Sequence, residues 1–316
     1  MFALALRRSL ALLALLTLLA SCGTAPAAAP KITIKLAENP WTGSAVNVYV
    51  AKTLLEEQLG YTVEIVTIDE NAQWAALANG DLSATLEIWP SGHVENVKQY
   101  IETQKVVENL GPLGVVGKIS WYVPKYIVDQ KPELATWEGL KSDAALFTTA
   151  ETGAKGQFLA GDPSWVQYDG DIIKNLALDF QVVQAGSEQA VLAALDGAYN
   201  RKEPLLFYFW TPHSVHAKYE LSPVALPDYS EDCYAKAEAG GVACDYPEDA
   251  LFKAAWGGLK AAAPDAYALI KNMQYANADQ IGMIAAAELE GKEPAAVAKA
   301  WVEAHKDTWQ KWLPTK

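Results

Sequence analysis

Three tryptophans stand at or just beyond the ends of apolar runs, where turn residues follow. Trp89 is followed by Pro-Ser-Gly, Trp165 closes an Asp-Pro-Ser-Trp sequence, and Trp210 is followed by Thr-Pro. An indole face attracts positive charge without needing a hydrogen bond, so it suits a cation that has no proton to donate. Three such rings brought together predict a box for a quaternary ammonium group.

The elements that would position these rings alternate between strand and helix. Strands are predicted over residues 31–36, 62–68, 84–88, 118–123, 144–148, 180–183 and 205–209. Helices are predicted over residues 44–59, 73–79, 94–103, 171–178 and 187–199. This alternation is typical of parallel sheets covered by helices. Because the chain is longer than one core usually supports, two similar α/β halves are predicted.

Position along the predicted strands separates candidate ligand contacts from core residues. In parallel sheets, ligands bind beyond the carboxyl ends of the strands. Trp89 and Trp210 lie one residue past predicted strands, which favours a binding role over the usual packing role of tryptophan. The chain is predicted to be helical from residue 265 onward, where Trp301, Trp309 and Trp312 share one helical face and are predicted to be core.

The first residues predict export. Residues 1–21 carry Arg7 and Arg8, an apolar run too short to span a bilayer and no acidic residue, which is typical of a signal peptide. The junction before Cys22 reads Leu-Ala-Ser-Cys and resembles a bacterial lipoprotein box, which implies a lipid anchor on Cys22. An ordinary cleaved signal is the alternative. Residues 22–30, rich in alanine and proline, then predict an extended tether.

Two further cysteines and the charge balance limit the function. In an exported chain, Cys233 and Cys244 predict a disulfide that closes a short loop, with two free thiols as the alternative. No histidine or other cysteine stands near them at ligand spacing, so no metal site is predicted, and no cofactor is expected. The chain has 38 acidic and 25 basic residues and a formal net charge of −13. Such a surface repels nucleic acid and anionic lipid.

Three local sequences resemble the substrate-binding proteins of ABC importers for glycine betaine and proline betaine. They are Ile88-Trp89 with His93, the run Asp162-Pro-Ser-Trp165, and the run Phe207-Tyr-Phe-Trp210-Thr-Pro, in the order in which the family carries its cage segments. The resemblance extends over nearly the whole mature chain. The chain departs from the family pattern in two places. Gly161 and Gln167 stand near the positions where one branch of the family carries a pair of cysteines, and His213-Ser follows the Thr-Pro sequence.

The resemblance implies an α/β, two-lobed periplasmic-binding-protein fold of the type II kind. Each lobe would be a mostly parallel sheet flanked by helices, with the ligand in the interlobe cleft. Lobe 1 would comprise residues 31–119 and 247–316, and lobe 2 would comprise residues 120–246. The implied function is that of a monomeric, lipid-anchored binding protein, not an enzyme, that delivers glycine betaine or proline betaine to the permease of an ABC importer. Choline or carnitine in the same cage is the alternative.

The family pattern also implies which aromatic residues surround the ligand. Trp89, Trp165 and Trp210 would form the cage. Trp41 stands where choline-binding relatives carry an additional aromatic residue. Tyr122 is a further wall candidate, with packing in a hinge strand as the alternative.

The carboxylate of a betaine needs hydrogen-bond donors at the other end of the site. By resemblance, His93 and the backbone N–H groups of Val166 and Gln167 would supply them, since a histidine beside a carboxylate can donate a charge-assisted hydrogen bond. The alternative role of His93 is to cap the following helix. His213, in the turn after Trp210, is the second candidate.

A cage divided between the lobes would be complete only when they close, so the ligand would stabilise the closed form. A secreted hydrolase is the competing class, but the sequence contains no Gly-x-Ser-x-Gly, His-Glu-x-x-His or Cys-x-x-Cys motif. A sugar-binding protein would also use tryptophan faces. It would need Asp, Asn and Arg beside them, whereas the loops here contain mostly Pro, Gly, Ser and Thr.

Overall fold

The computed structural model of the chain describes residues 31–315. The predicted signal peptide, the lipidation site at Cys22 and the tether lie outside the described residues. Among the residues described, no helix combines the length and the apolar character that a membrane span requires.

One mixed sheet of nine strands runs through the described chain. The strands are β1 (Ile34–Glu38), β2 (Val63–Thr67), β3 (Ala84–Ile88), β4 (Val107–Pro124), β5 (Gly156–Ala160), β6 (Phe180–Gln184), β7 (Phe207–Thr211), β8 (Leu221–Pro223) and β9 (Glu248–Trp256). Their order is β2-β1-β3-β9-β4-β7-β5-β6, with β8 paired to β4. Strand β1 pairs in parallel with β2 and β3, and β5 pairs in parallel with β6 and β7.

Two antiparallel strands join these parallel groups. The 18-residue strand β4 pairs with β9 over its first part and with β7 and β8 over its last part. The predicted strand at 118–123 is therefore the end of a much longer element. Because β4 and β9 cross from one group to the other, they tie the two halves together.

Helices cover both parallel groups. The α-helices are Thr42–Glu57, Ala72–Asn79, Val94–Asn96, Lys125–Gln130, Trp137–Ser142, Asp169–Asn175, Glu188–Arg201, Val215–Lys218, Glu231–Tyr234, Leu259–Ala262, Pro264–Asn272, Asn277–Glu288, Pro294–Ala304 and Lys306–Trp309. A π-helix spans Val97–Thr103. The strand–helix alternation follows the sequence pattern closely as far as residue 103.

The buried apolar side chains separate into two large cores and one small one. One large core and the small core are built from residues before 116 and after 250. They cover the two faces of the parallel group formed by β1, β2 and β3. The other large core is built from residues 119–246 together with Trp41. We call the chain segments that build the first two cores lobe 1, and residues 120–246, which build most of the third core, lobe 2. Trp41 and Ile119 belong to lobe 1 by their place in the chain but pack into the third core.

Two local predictions are wrong. Residues Ala144–Phe147 form a 3-10 turn, and the strand is instead β5. Both segments are apolar and buried, so the pattern reported burial but not extension. The turn packs across the start of β5, where a Cβ on Gly156 would lie 2.7 Å from the carbonyl oxygen of Ala144.

The three C-terminal tryptophans do not share one helix. The helix Pro294–Ala304 ends before His305, and a separate turn of helix and a 3-10 turn follow. Their predicted core role is nevertheless confirmed, because Trp301, Trp309 and Trp312 are all buried in the large core of lobe 1. The rings of Trp301 and Trp312 stack with centroids 5.8 Å apart.

Candidate functional site

Four tryptophans, which we call the cage, line one cavity between the lobes: Trp41 and Trp89 from lobe 1, and Trp165 and Trp210 from lobe 2. The rings of Trp165 and Trp210 meet edge to face, with centroids 5.2 Å apart and planes at 87°. Trp165 meets Trp41 across the cleft at 6.3 Å and 81°. The space in the cavity open to the centre of a water-sized sphere is about 40 Å³. Perpendicular rings present faces on adjoining walls, which is the geometry that a cation between rings requires.

Two glycines make room for two of the cage rings. A Cβ on Gly117 would lie 2.4 Å from the ring of Trp89, and a Cβ on Gly161 would lie 2.0 Å from the ring of Trp165. Neither contact is compatible with a side chain, so each ring lies directly against backbone. Gly161 therefore fixes the position of Trp165 in a loop where one branch of the resembling family uses a cysteine.

The strands and loops set the direction of the rings. Trp89 follows the last residue of β3, as predicted, whereas Trp210 lies inside β7 and not beyond it. Successive residues of a strand point to opposite faces, so Tyr208 and Trp210 share one face. Both line the cavity. The loop bearing Trp165 is held by Asp162, whose side chain accepts from the N–H of Ser164 at 2.8 Å.

A buried carboxylate anchors the two lobe 1 tryptophans. Glu87 Oε1 accepts from the indole N–H of Trp41 at 2.8 Å and of Trp89 at 3.0 Å. Glu87 Oε2 accepts from the side-chain amides of Asn47 at 2.5 Å and Gln280 at 2.9 Å. Burial raises the pKa of Glu87 to about 7, against the effect of these hydrogen bonds.

Lobe 2 has a counterpart in Asp169. Its Oδ1 accepts from the indole N–H of Trp121 at 2.6 Å and from the hydroxyl of Tyr246 at 2.9 Å. Burial raises the pKa of Asp169 to about 6. Tyr246 lines the cavity together with Tyr168 and Tyr208. The sequence analysis missed all three tyrosines.

Unlike Glu87 and Asp169, the acidic side chain of Glu70 lines the cavity itself. Its Oε2 lies 3.0 Å from His93 Nε2, and its Oε1 accepts from the backbone N–H of Val166. The Nδ1 of His93 accepts from the indole N–H of Trp74 at 3.3 Å, and an indole can only donate. The single proton of the neutral His93 ring therefore lies on Nε2 and is donated to Glu70.

This arrangement changes the position expected for His93. The ring is buried against Trp74 and does not line the cavity; its donor and that of Val166 both end on Glu70. The side chain of Glu70 thus occupies two of the three donors predicted for a ligand carboxylate, those of His93 and Val166; the third is the backbone N–H of Gln167. His93 also does not cap the helix that begins at Val94, because no cap hydrogen bond from its side chain is formed there.

Three other predicted contacts lie away from the cavity walls. The side-chain amide of Gln167 donates to the carbonyl of Asp162 at 3.3 Å. Tyr122 packs between Phe207 and His216, with ring centroids 6.1 and 5.1 Å away, as expected of a core residue. His213 is fully buried against two glutamates.

The surroundings of His213 form a polar group that crosses the cleft, which we call the interlobe cluster: Thr42, Glu188, His213, Ser214 and Glu288. Thr42 donates its backbone N–H to Glu188 at 2.8 Å, and its hydroxyl lies 2.7 Å from Glu188 and 2.8 Å from Glu288. His213 Nε2 lies 3.0 Å from Glu188 and 3.2 Å from Glu288. Thr42 and Glu288 belong to lobe 1, and the other three belong to lobe 2.

Glu188, His213 and Glu288 each offer one atom that could bind a metal, and within the described range these three atoms lie within 4.8 Å of one another. Burial disfavours the charged ring, but hydrogen bonds to Glu188 and Glu288 outweigh it and raise the pKa of His213 to about 9. The charged ring carries a proton on Nε2 and has no lone pair there for a metal, so the cluster fits hydrogen bonding. In the neutral ring, the backbone N–H of Val215, which lies 3.1 Å from Nδ1, also places the proton on Nε2.

A disulfide joins Cys233 to Cys244, with Cα atoms 6.5 Å apart. It closes the loop that leads to Tyr246. The ring of Tyr234, inside that loop, contacts Tyr168 and Tyr246 at 5.4 and 6.5 Å. The disulfide therefore lies directly behind the tyrosine wall of the cavity.

The sequence also matches a known protein family. The family model of the substrate-binding domain of ABC-type glycine betaine transport systems matches residues 32–304. The chain belongs to this family. Members are binding proteins and not enzymes, and they act outside the cytoplasm.

Individual relatives agree with this assignment. The chain is 26% identical to the trimethylamine N-oxide-binding protein of Pelagibacter ubique, over 91% of this chain and 92% of that protein. Its fold is similar to lactococcal OpuAC in the closed form with glycine betaine, with TM-score 0.71 and 21% identity over 90% of this chain and 100% of the other. It is also similar to a choline-binding protein complexed with choline, with TM-score 0.72 and 18% identity over 89% and 91%.

These structural similarities establish the two-lobed periplasmic-binding-protein architecture predicted from the sequence. The family match confirms the predicted class: a substrate-binding protein of an ABC importer for amines of the betaine and choline type.

Proposed function

We propose that this protein delivers a small trimethylammonium compound without a carboxylate to an ABC importer. Trimethylamine N-oxide is the first candidate and choline the second. This choice rests on Glu70, whose carboxylate lies in the cavity wall and already accepts hydrogen bonds from Val166 and His93.

The cage supplies the binding energy for the cationic end. Each desolvated indole face contributes about 2 kcal/mol to holding a quaternary ammonium group. Four faces therefore contribute about 8 kcal/mol, which matches the roughly 8 kcal/mol of micromolar binding before ordering costs are subtracted. The polar end of the ligand must supply the remainder.

Glu70 makes a ligand carboxylate unfavourable at that polar end. Two carboxylates side by side repel each other unless one takes up a proton. Two of the three donors predicted to stabilise a ligand carboxylate are satisfied by Glu70. A hydroxyl such as that of choline can instead donate to Glu70, which supports choline as the second candidate.

An N-oxide oxygen only accepts hydrogen bonds, so it needs a proton-bearing group near Glu70. Tyr208 lines the same cavity. Burial, followed by the charges of Asp169 and Glu70, raises the pKa of its hydroxyl well above the usual value, so Tyr208 keeps a proton to donate. Trimethylamine N-oxide is placed first because the relative that is 26% identical over 91% of this chain is a trimethylamine N-oxide-binding protein.

Binding would be coupled to closure of the lobes. We assign residues 31–119 and 247–316 to lobe 1 and residues 120–246 to lobe 2, following the division of the cores. The bond from Val166 to Glu70 and the interlobe cluster both cross this boundary. A ligand that fills the cage would favour the closed form, which the permease would recognise.

We further propose that the protein is a monomer that Cys22 anchors to a membrane through lipid. The lipoprotein-like junction before Cys22 supports the anchor. The variant Cys22→Ala should then appear in the soluble fraction. If it stays in the membrane fraction as the parent does, the anchor is wrong.

Isothermal titration of the wild-type protein tests the ligand class. The panel is trimethylamine N-oxide, choline, carnitine, glycine betaine, proline betaine and maltose. Trimethylamine N-oxide or choline should bind at least about tenfold more tightly than glycine betaine, proline betaine or carnitine, because those three present a carboxylate to Glu70. Tighter binding of glycine betaine, or binding of maltose alone, would overturn the proposal.

A further inference from the structure

The carboxylate of Glu87 has an unusual set of partners for a buried acid. It is 2% exposed and receives four N–H groups, two on each oxygen, from Trp41, Trp89, Asn47 and Gln280. A protonated acid would have to direct its own O–H at one of these donors. Four donors are therefore the partner set of an ionised carboxylate.

No positive side chain balances this charge within the described part of the chain, where the ion pairs do not include Glu87. The amides of Asn47 and Gln280 reach it from the helices Thr42–Glu57 and Asn277–Glu288. The titratable groups that face it are Glu188, which opposes its ionisation, and Tyr275. The negative charge behind the rings is thus left without a cation.

The rings link Glu87 to the cavity. An N–H that donates to an anion is polarised, and electron density on the ring attached to it increases. Trp41 and Trp89 both donate to the same carboxylate and both line the cavity. Their faces therefore attract a cation more strongly than those of indoles that donate to a neutral group.

We infer that Glu87 is a positioning residue that fixes Trp41 and Trp89 and acts through their rings as the counter-charge of the bound cation. This role rests on the proposed function only in that the ligand carries a trimethylammonium group; it holds for betaine, choline or N-oxide alike. It differs from the role of Glu70, which faces the polar end of the ligand.

The variant Glu87→Gln separates charge from position. Its amide oxygen can accept from both indoles, while its NH₂ group can donate to Asn47 and Gln280 once their amides flip. The probes are choline and 3,3-dimethyl-1-butanol, which has the same shape but carries carbon in place of charged nitrogen. Choline affinity should fall about tenfold or more, and affinity for the uncharged alcohol should change less than about twofold.

Equal losses for the two probes would mean that Glu87 only supports the rings, and no loss for either would mean that it is not needed; both results overturn the inference. Failure of the wild type to bind any trimethylammonium compound would instead refute the proposed function. A preference for glycine betaine would refute Glu70's assigned role but leave this test valid, with betaine and its carbon analogue as probes.

The wild-type protein gives a second measurement if the variant does not fold. Burial raises the pKa of Glu87 to about 7, so lowering the pH from about 8 to about 6 protonates it. Choline affinity should fall over this range while affinity for the uncharged alcohol stays level. Parallel curves for the two probes would contradict the inference.

Discussion

Two buried glutamates of lobe 1, Glu70 and Glu87, lie on different sides of the same cage. Glu70 lines the cavity, and one of its two donors, the N–H of Val166, comes from lobe 2. Glu87 lies behind the rings, and its donors Trp41, Trp89, Asn47 and Gln280 all belong to lobe 1. The hydrogen bonds of Glu87 can therefore form within lobe 1, although Trp41 also packs against the core of lobe 2, whereas those of Glu70 are complete only when the lobes close.

This difference separates two properties of the site. Under the proposed function, the wall of Trp41 and Trp89 would attract any trimethylammonium cation, whichever compound carries it. Discrimination between compounds would fall to Glu70, at the polar end, and would be applied on closure. Affinity for the cation and selectivity for its substituent should consequently respond to different substitutions.

The largest effect is expected from Trp89, one of the two cage tryptophans whose N–H donates to Glu87. Trp89→Phe keeps an aromatic face but removes the N–H, so choline affinity should fall about 30-fold, and Trp89→Ala should cost more. The matched control is Trp165→Phe, because the indole nitrogen of Trp165 is buried without a hydrogen-bond partner. That variant should lose only about threefold. Equal losses in the two phenylalanine variants would show that the bond to Glu87 contributes nothing.

A smaller effect is expected from the interlobe cluster, whose residues do not line the cavity, although the ring of His213 packs against that of Trp210 with centroids 5.5 Å apart. His213→Ala removes a donor shared by Glu188 and Glu288 and should weaken the closed form. All ligands should then lose about five- to tenfold in affinity, without a change in their order. The exposed pair of Lys218 with Asp196 provides the control, since Lys218→Ala should change affinity less than about twofold. A change in ligand order would contradict this role.

The smallest effect concerns stability. Burial raises the pKa of Glu87 from 4.5 to about 7, so the folded state binds a proton that the unfolded state has released. This contribution is present at low pH and is lost as the pH rises through about 7. From about pH 6 to about pH 8, the free energy of unfolding should fall by about 1 kcal/mol more in wild type than in Glu87→Gln. Chemical denaturation at both pH values measures it, and identical pH dependence in the two proteins would contradict it.

Sequence patterns predicted the aromatic walls because they depend on position. Trp41, Trp89 and Trp165 follow strands or lie in turn sequences, Trp210 lies near the end of β7, and all four meet at one cavity. Tyr208 could also have been found, because it stands two residues before Trp210 on the same strand face. A segment such as Ala144–Phe147 misled because apolar composition reports burial alike in a turn and in a strand.

The two glutamates could not be predicted as readily. Glu87 lies in strand β3, all of whose residues are buried, and an acid in such a strand is a signal that was not used. Glu70 stands in a polar turn, where an acidic residue is ordinary. Its role depends on Val166, which lies 96 residues away in the chain, so no local pattern identifies it.

The central claim is that Glu70 occupies the place of a ligand carboxylate, and the variant Glu70→Ala tests it most directly. Isothermal titration of choline and glycine betaine against wild type and variant gives the ratio of their affinities. Removing Glu70 frees the N–H of Val166 and the Nε2–H of His93, so the ratio should shift toward glycine betaine by at least about tenfold. An unchanged ratio, or a shift toward choline, would contradict the account.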